Sequence, residues 1–360
     1  MSTHLSTDRR HWAGLLAAGL AILLLGACTP VALTELVAKP GELPQRAEVA
    51  EVPFVAQTDY YCGPASLAMV YGWLGRESSL EALVAEVYTP GREGTLRTDL
   101  ITSVRRNGFL GVPVPDLPGL FAEVAAGHPV LVLQNLGLTR YPQWHYAVVT
   151  GYDLQARAVR LHSGTRANLN MRLDAFIHTW MRGGSWGMVV LSAGQLPAAG
   201  TEREVALTAA GLERAGHNDA AARVYRAMLD RWPNSLGAHI GLANAASRAD
   251  KPAASARHLR RAIRAHPRSA AAWHNLAMVL AALDDPVAAS VAARRAIALS
   301  LTSEREAYYR RLEHLLAPDA ADASGASESG GAAAWGASAD GCMAAARHVR
   351  RMGPGGEPCR

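Results

Sequence analysis

The thiolate is the strongly nucleophilic form of a cysteine, and the mouth of a helix is a place where a chain can stabilise that anion. Cys62 occupies such a place. The run Gln57-Thr58-Asp59-Tyr60-Tyr61-Cys62-Gly63-Pro64-Ala65-Ser66 sets a cysteine between a polar loop and helix-forming residues. Unpaired first-turn N–H groups and the positive end of the helix dipole lower a thiol pKa there. That suits a covalent nucleophile. Gln57 precedes the cysteine by five residues and carries an amide suited to the oxygen that turns negative in a tetrahedral intermediate. The base is sought among 13 histidines. Only His145 opens a strongly β-forming run after a polar lead-in, Trp144-His145-Tyr146-Ala147-Val148-Val149. His128, before Pro129, and His162, inside a strand, read as structural. No His-Glu-x-x-His, phosphate loop or dinucleotide fingerprint occurs, so no cofactor and no metal are expected.

A third residue should orient the imidazole. If His145–Tyr152 and Ala158–His162 form a hairpin, Asp153 sits at its turn. At roughly 3.3 Å per residue that is about 25 Å from His145. The residues returning beside His145 are His162-Ser163-Gly164-Thr165. Ser163 is therefore the candidate, with Asp174 as the alternative from the next segment. A hydroxyl fixes a tautomer but stabilises imidazolium less than a carboxylate does.

The elements that must hold these groups are read from periodicity and punctuation. Helices are expected over 64–73, 80–87 and 98–107, and apolar strands over 129–136, 145–152 and 158–162. A further strand is expected at 189–191. From residue 202 the composition turns to Ala and Arg on a helical period. Trp232-Pro233 and His266-Pro267 stand 34 residues apart, as do Tyr225 and Leu259, Ala238 and Ala272, and Leu242 and Leu276. That period resembles the tetratricopeptide repeat, with two and a half to three units expected over 202–315. Residues 316–360, rich in Ala, Gly and Ser, lack the apolar content to offset ordering entropy and are expected to be disordered.

At the N-terminus Arg9 and Arg10 precede an apolar stretch from Trp12 to Leu25, then Leu25-Gly26-Ala27-Cys28. That order reads as an export signal, with an apolar stretch shorter than a spanning helix needs. The last four residues resemble the lipobox of bacterial lipoproteins. The resemblance implies a signal over 1–28, lipidation of Cys28, and a tether over 29–50. Thr29 after the cysteine implies the outer membrane, on its periplasmic face. With Cys28 lipidated, Cys62, Cys342 and Cys359 remain. Pairing of the last two with each other would leave Cys62 as the free thiol. The net charge of +5 is spread over helix faces without interleaved aromatics, which argues against nucleic acid as a partner.

The run Cys62-Gly63-Pro64-Ala65-Ser66-Leu67-Ala68, led by Gln57 and answered by the strand opening at His145, resembles the peptidase C39 and C39-like families over residues 51–191. These are papain-fold cysteine peptidases. The resemblance implies Cys62 as nucleophile, His145 as base and Gln57 as oxyanion donor. The chain departs from the family at Tyr61, where many members have Asp. It departs again at the orienting position, where the family has Asp or Asn and this chain has Ser163.

The expected architecture is an α+β papain-like cysteine-peptidase domain over 51–195 followed by an all-α helical-repeat domain. The expected function is an exported, lipid-anchored cysteine peptidase whose repeats bind a protein partner. The alternative is a catalytically inactive C39-like scaffold that binds peptides. Acyl transfer by the same Cys–His pair stays open beside hydrolysis, because the first half-reaction is shared.

Overall fold

The computed structural model describes residues 43–57 and 60–300, together with Gly41, Ala307, Arg310 and Arg311. The export signal, Cys28, most of the tether, Cys342 and Cys359 and the tail lie outside the described residues. The chain divides into two compact units, Met1–Ala227 and Met228–Arg360.

In the first unit the chain enters at strand β1 (Arg46–Glu48), inside the stretch expected as tether. It pairs antiparallel with the end of a later strand, Arg46 opposite Asp153, which is why this segment is ordered. Helix α1 (Cys62–Trp73) follows, then α2 (Leu80–Val87), a 3-10 turn (Pro90–Arg92), α3 (Arg97–Arg106), β2 (Leu110–Pro113) and α4 (Leu117–Ala125). The sheet continues through β3 (Val130–Asn135), β4 (Trp144–Asp153), β5 (Ala158–Ser163) and β6 (Arg166–Arg172). Helix α5 (Leu173–Arg182) and β7 (Gly187–Leu191) complete the fold. The strand order is β2-β7-β3-β4-β5-β6, with β1 paired to β4 off that path, and every pairing is antiparallel. This is the α+β papain-like arrangement expected from the sequence.

The core explains why α1 stays against the sheet. Nine consecutive residues of α1, Gly63–Tyr71, are buried. Leu67, Met69 and Tyr71 pack with Leu131, Tyr146, Val148 and Val190 from three strands. Helix and strand are each apolar on more than one face because other elements cover them. The α1 helix begins two residues before the expected start, so Cys62 is its first residue rather than its neighbour. Tyr71 Oη and Ser103 Oγ, 3.0 Å apart, bind α1 to α3 through a buried polar contact.

Beyond β7 come three helix pairs: α6 (Glu202–Arg214) with α7 (Asn218–Arg231), α8 (Leu236–Arg248) with α9 (Pro252–Ala265), and α10 (Ala270–Ala282) with α11 (Pro286–Ala298). Corresponding helices start 34 residues apart throughout. The period shows in capping: Thr201, Ser235 and Ser269 each accept a first-turn N–H. It shows again where His239 Nε2 donates to the Pro233 carbonyl (3.1 Å) and Trp273 Nε1 to the Pro267 carbonyl (3.0 Å). The chain divides within α7, and α6 packs on β2 and α3 of the first unit. The second unit is a helical repeat domain whose core is Leu259, Leu276, Leu280 and a set of alanines that let the helices approach closely.

Candidate active site

Cys62 is the first residue of α1. Tyr61 caps the helix without a side-chain hydrogen bond, so the first-turn donors stay available. The backbone groups of Tyr146, Gly63 and Cys62 itself lie near the thiol and favour its anion. Tyr146 follows His145 on β4, so the nucleophile lies against the strand that carries the candidate base. The expectation of a lowered thiol pKa is nevertheless reversed. Burial pushes the Cys62 thiol up, and it outweighs the three backbone groups that pull the other way.

His145 lies near the start of β4, opposite Gln134 of β3. Burial holds its imidazole below the ordinary histidine range. Nε2 is 2.9 Å from Ser163 Oγ. The structure therefore brings Ser163 to His145. It places Asp174 elsewhere: one carboxylate oxygen accepts from Arg157 (2.8 Å) and the other from Arg172 (3.2 Å), and these arginines hold its pKa low. Asp153 pairs with Ala158 at the far end of the hairpin.

Gln57 is 6% exposed, and its Nε2 is buried with no hydrogen-bond partner among the described residues. A buried amide without an acceptor costs on the order of 1–3 kcal/mol. A catalytic role is one reason for a fold to keep such a group. Its backbone N–H donates to the Gly164 carbonyl (3.1 Å), which fixes the loop that leads into Cys62.

His162 is structural, as the sequence suggests. Its Nε2 donates to the Val52 carbonyl (3.1 Å), and its Nδ1 accepts from Asn168 N–H (3.1 Å). His128 is likewise committed, with Nδ1 2.8 Å from Glu123 Oε2. Three consecutive residues thus each fix one part of the site: His162 the approach segment, Ser163 the imidazole, Gly164 the Gln57 loop.

Sequence reasoning missed Thr95. A Cβ built on Gly63 would lie 2.5 Å from Thr95 Cβ and 2.6 Å from its Oγ1, so glycine is required beside the nucleophile. Thr95 Oγ1 is buried without a partner, and the Thr95 carbonyl accepts from Tyr146 Oη (3.2 Å). Nothing in the local sequence marks Thr95, because its role depends on a long-range contact. Three exposed apolar side chains adjoin site residues in the chain: Tyr60 two residues before Cys62, Leu96 after Thr95, and Trp144 before His145. Tyr60 holds a φ of 71°, a left-handed turn that swings the chain into the helix. Among the described residues no three His, Cys, Asp or Glu side chains converge to hold a metal, and no helix is long and apolar enough to cross a membrane.

Residues 49–184 match the model of the Peptidase_C39 like family. No curated protein sequence matches the chain. Among solved structures, a C39-like peptidase from Bacillus anthracis is similar at 18% identity, over 41% of this chain and 97% of that one, with a TM-score of 0.36. The peptidase domain of Streptococcus ComA, a bifunctional ABC transporter, is similar at 21% identity, over 39% and 98%, with a TM-score of 0.33. The first TPR of Spaghetti, solved with an HSP90 peptide, is similar at 19% identity, over 32% and 93%, with a TM-score of 0.29.

Proposed function

We propose that this chain, C39-like over residues 49–184, is a cysteine peptidase in which Cys62 attacks a peptide carbonyl with His145 as base. The observation that carries the reading is the buried, unpartnered Gln57 amide in the loop that presents the thiol. In the free protein the pair rests as neutral thiol and neutral imidazole, because burial disfavours both charges. With Nε2–H donating to Ser163, Nδ1 carries the lone pair. As Sγ bonds to the carbonyl carbon, the thiol proton passes to Nδ1, and the carbonyl electrons move onto oxygen. Gln57 Nε2–H and the Cys62 N–H receive that charge. The imidazolium returns the proton to the leaving amine, and water then hydrolyses the thioester. The exposed Tyr60, Leu96 and Trp144, which adjoin Cys62, Thr95 and His145 in the chain, offer contacts for substrate side chains.

The reading extends to an exported protein, lipidated at Cys28 and held at the periplasmic face of the outer membrane, whose repeats bind a protein or peptide. Metabolic labelling with a radioactive fatty acid, lost in Cys28→Ala, tests the anchor.

A second reading, an inactive peptide-binding scaffold, is favoured by one observation. A hydroxyl replaces the carboxylate that would stabilise imidazolium.

The deciding experiment measures Cys62 alkylation against pH, with Cys342 and Cys359 changed to Ser and His145→Ala run in parallel, beside turnover of a quenched peptide library. Library cleavage lost in both Cys62→Ala and His145→Ala supports the peptidase. No cleavage, with alkylation unaffected by His145→Ala, leaves the scaffold.

A further inference from the structure

Helix α9 is unusual for its charge. On the face opposite its buried Ser255, Ala256, Leu259 and Ala262 it carries Arg257, Arg260, Arg261 and Arg264, and no acidic residue occurs anywhere in it. Four of these arginine pairs are spaced three or four apart, where like charges repel by a few tenths of a kcal/mol each (about 0.2–0.5). The neighbouring helices α8 and α10 contain no carboxylate either. From residue 228 to 300 ten lysines and arginines face four aspartates. Among the described residues neither Arg261 nor Arg264 forms an ion pair.

Repeat packing does not impose this arrangement. One period earlier the positions of Arg261 and Arg264 hold Ala227 and Asp230, and one period later Arg295 and Ala298. Only α9 has arginine at both. The two guanidinium groups also line an open cavity of about 540 Å³, together with His239 and an apolar wall of Leu229, Pro233 and Ala265. His239 cannot offset the charge: its Nε2 is committed to the Pro233 carbonyl, and its Nδ1 lies 3.4 Å from Nδ1 of His258. His266, also near, donates its Nε2–H to the Asn234 carbonyl (2.7 Å). The titratable residues that line the cavity, His239, Arg261 and Arg264, are all basic, and the carboxylate nearest to the lining in sequence is Asp230, beside Leu229.

We infer that the second unit recognises an acidic protein segment here, with a carboxylate seated on Arg261 and Arg264 and an adjoining apolar side chain against Leu229 and Pro233. A guanidinium fork matches a carboxylate in two parallel hydrogen bonds. A concave site with an apolar wall fits a side chain better than the flat surface of a membrane. The inference rests on the reading of the repeats as a protein-binding unit and is independent of the chemistry at Cys62.

The test uses the full chain and fluorescence anisotropy with two short labelled peptides, one alternating Glu with Leu and the other Lys with Leu. Binding of the Glu peptide alone is expected. It should weaken at least tenfold in Arg261→Gln/Arg264→Gln and stay within twofold in Lys251→Gln/Arg295→Gln, a control of equal charge outside the cavity. Circular dichroism confirms that each variant is folded. Failure of the Glu peptide to bind overturns the inference. Equal loss in both double variants overturns the pocket and leaves a diffuse charge effect. Unchanged binding in Arg261→Gln/Arg264→Gln overturns the pocket but leaves protein binding by the repeats standing. Arginine-dependent binding to vesicles containing phosphatidylglycerol, not displaced by the Glu peptide, identifies a membrane-facing surface and overturns it too.

Discussion

At Cys62, His145 and Ser163 the deciding quantity is where the resting proton lies. Burial raises the thiol and lowers the imidazole, so a thiolate–imidazolium pair is disfavoured until something else stabilises the positive ring. Ser163 fixes the ring without supplying charge. Ser163→Asp should therefore raise the His145 pKa and speed Cys62 alkylation at neutral pH by roughly tenfold, about one pKa unit. An unchanged alkylation profile would show that Ser163 does not act on His145. The pH dependence of kcat/KM follows from the same directions. In the proposed mechanism the neutral pair is the active form, so the acid limb should lie below the ordinary histidine value of about 6.5 and the basic limb above the ordinary thiol value of about 8.5. A basic limb near neutrality would instead mean that the ion pair is the active form. Gln57→Ala should lower kcat about a hundredfold with little change in KM, because its amide meets an acceptor only in the transition state. The same variant should not lose stability, since it removes a buried donor that has no partner.

At the scale of elements, the β5–β6 turn is what makes the site possible, and it was only partly visible in the sequence. Ser163 is legible near His145 because strand rise and turn position are arithmetic. The hold of Gly164 on the Gln57 loop and of His162 on Val52 is not, since both contacts span more than a hundred residues. Strand β6 was also unread: its pattern Arg-Ala-Asn-Leu-Asn-Met-Arg is largely exposed and lacks the apolar alternation of its neighbours. Thr95 was invisible for the same reason as Gly164. The helical repeat was legible through its period, because each pair must present the same small residues to the next. The capping residues at the same period are a signal that could have fixed the helix starts. Ser269→Ala should cost about 1 kcal/mol by chemical denaturation of the second unit, the usual value of an N-cap. Ser235→Ala should cost more, because Ser235 is buried. Equal costs for the two would show that burial of the cap adds nothing.

For the whole molecule, the second unit carries an acid liability that the first does not share in the same form. His274, on α10, is held down to about 4 by burial, and His239 and His258 are also lowered, chiefly by burial, with the Pro233 carbonyl pulling His239 the other way. Above the ordinary value of about 6.5 both folded and unfolded chains carry neutral histidine, and the shift costs nothing. As pH falls below that value the unfolded chain binds a proton that folded His274 refuses, so stability declines until about 4, where both states bind it. The loss from His274 is on the order of 3 kcal/mol, a large share of a domain's stability. Acidification from pH 7 to 4 should therefore open α8–α11 before the C39-like core. Hydrogen exchange, read separately for peptides from the sheet and from residues 236–298, resolves the two. His274→Leu should move the acid transition of the helical unit to lower pH and leave the sheet unchanged. An unaltered transition would show that proton uptake elsewhere drives the opening. The consequence reaches the proposed partner site, because His239 borders the cavity that holds Arg261 and Arg264. An acidic segment bound there should protect α8 and α9 from exchange at pH 5, and Arg261→Gln/Arg264→Gln should abolish that protection.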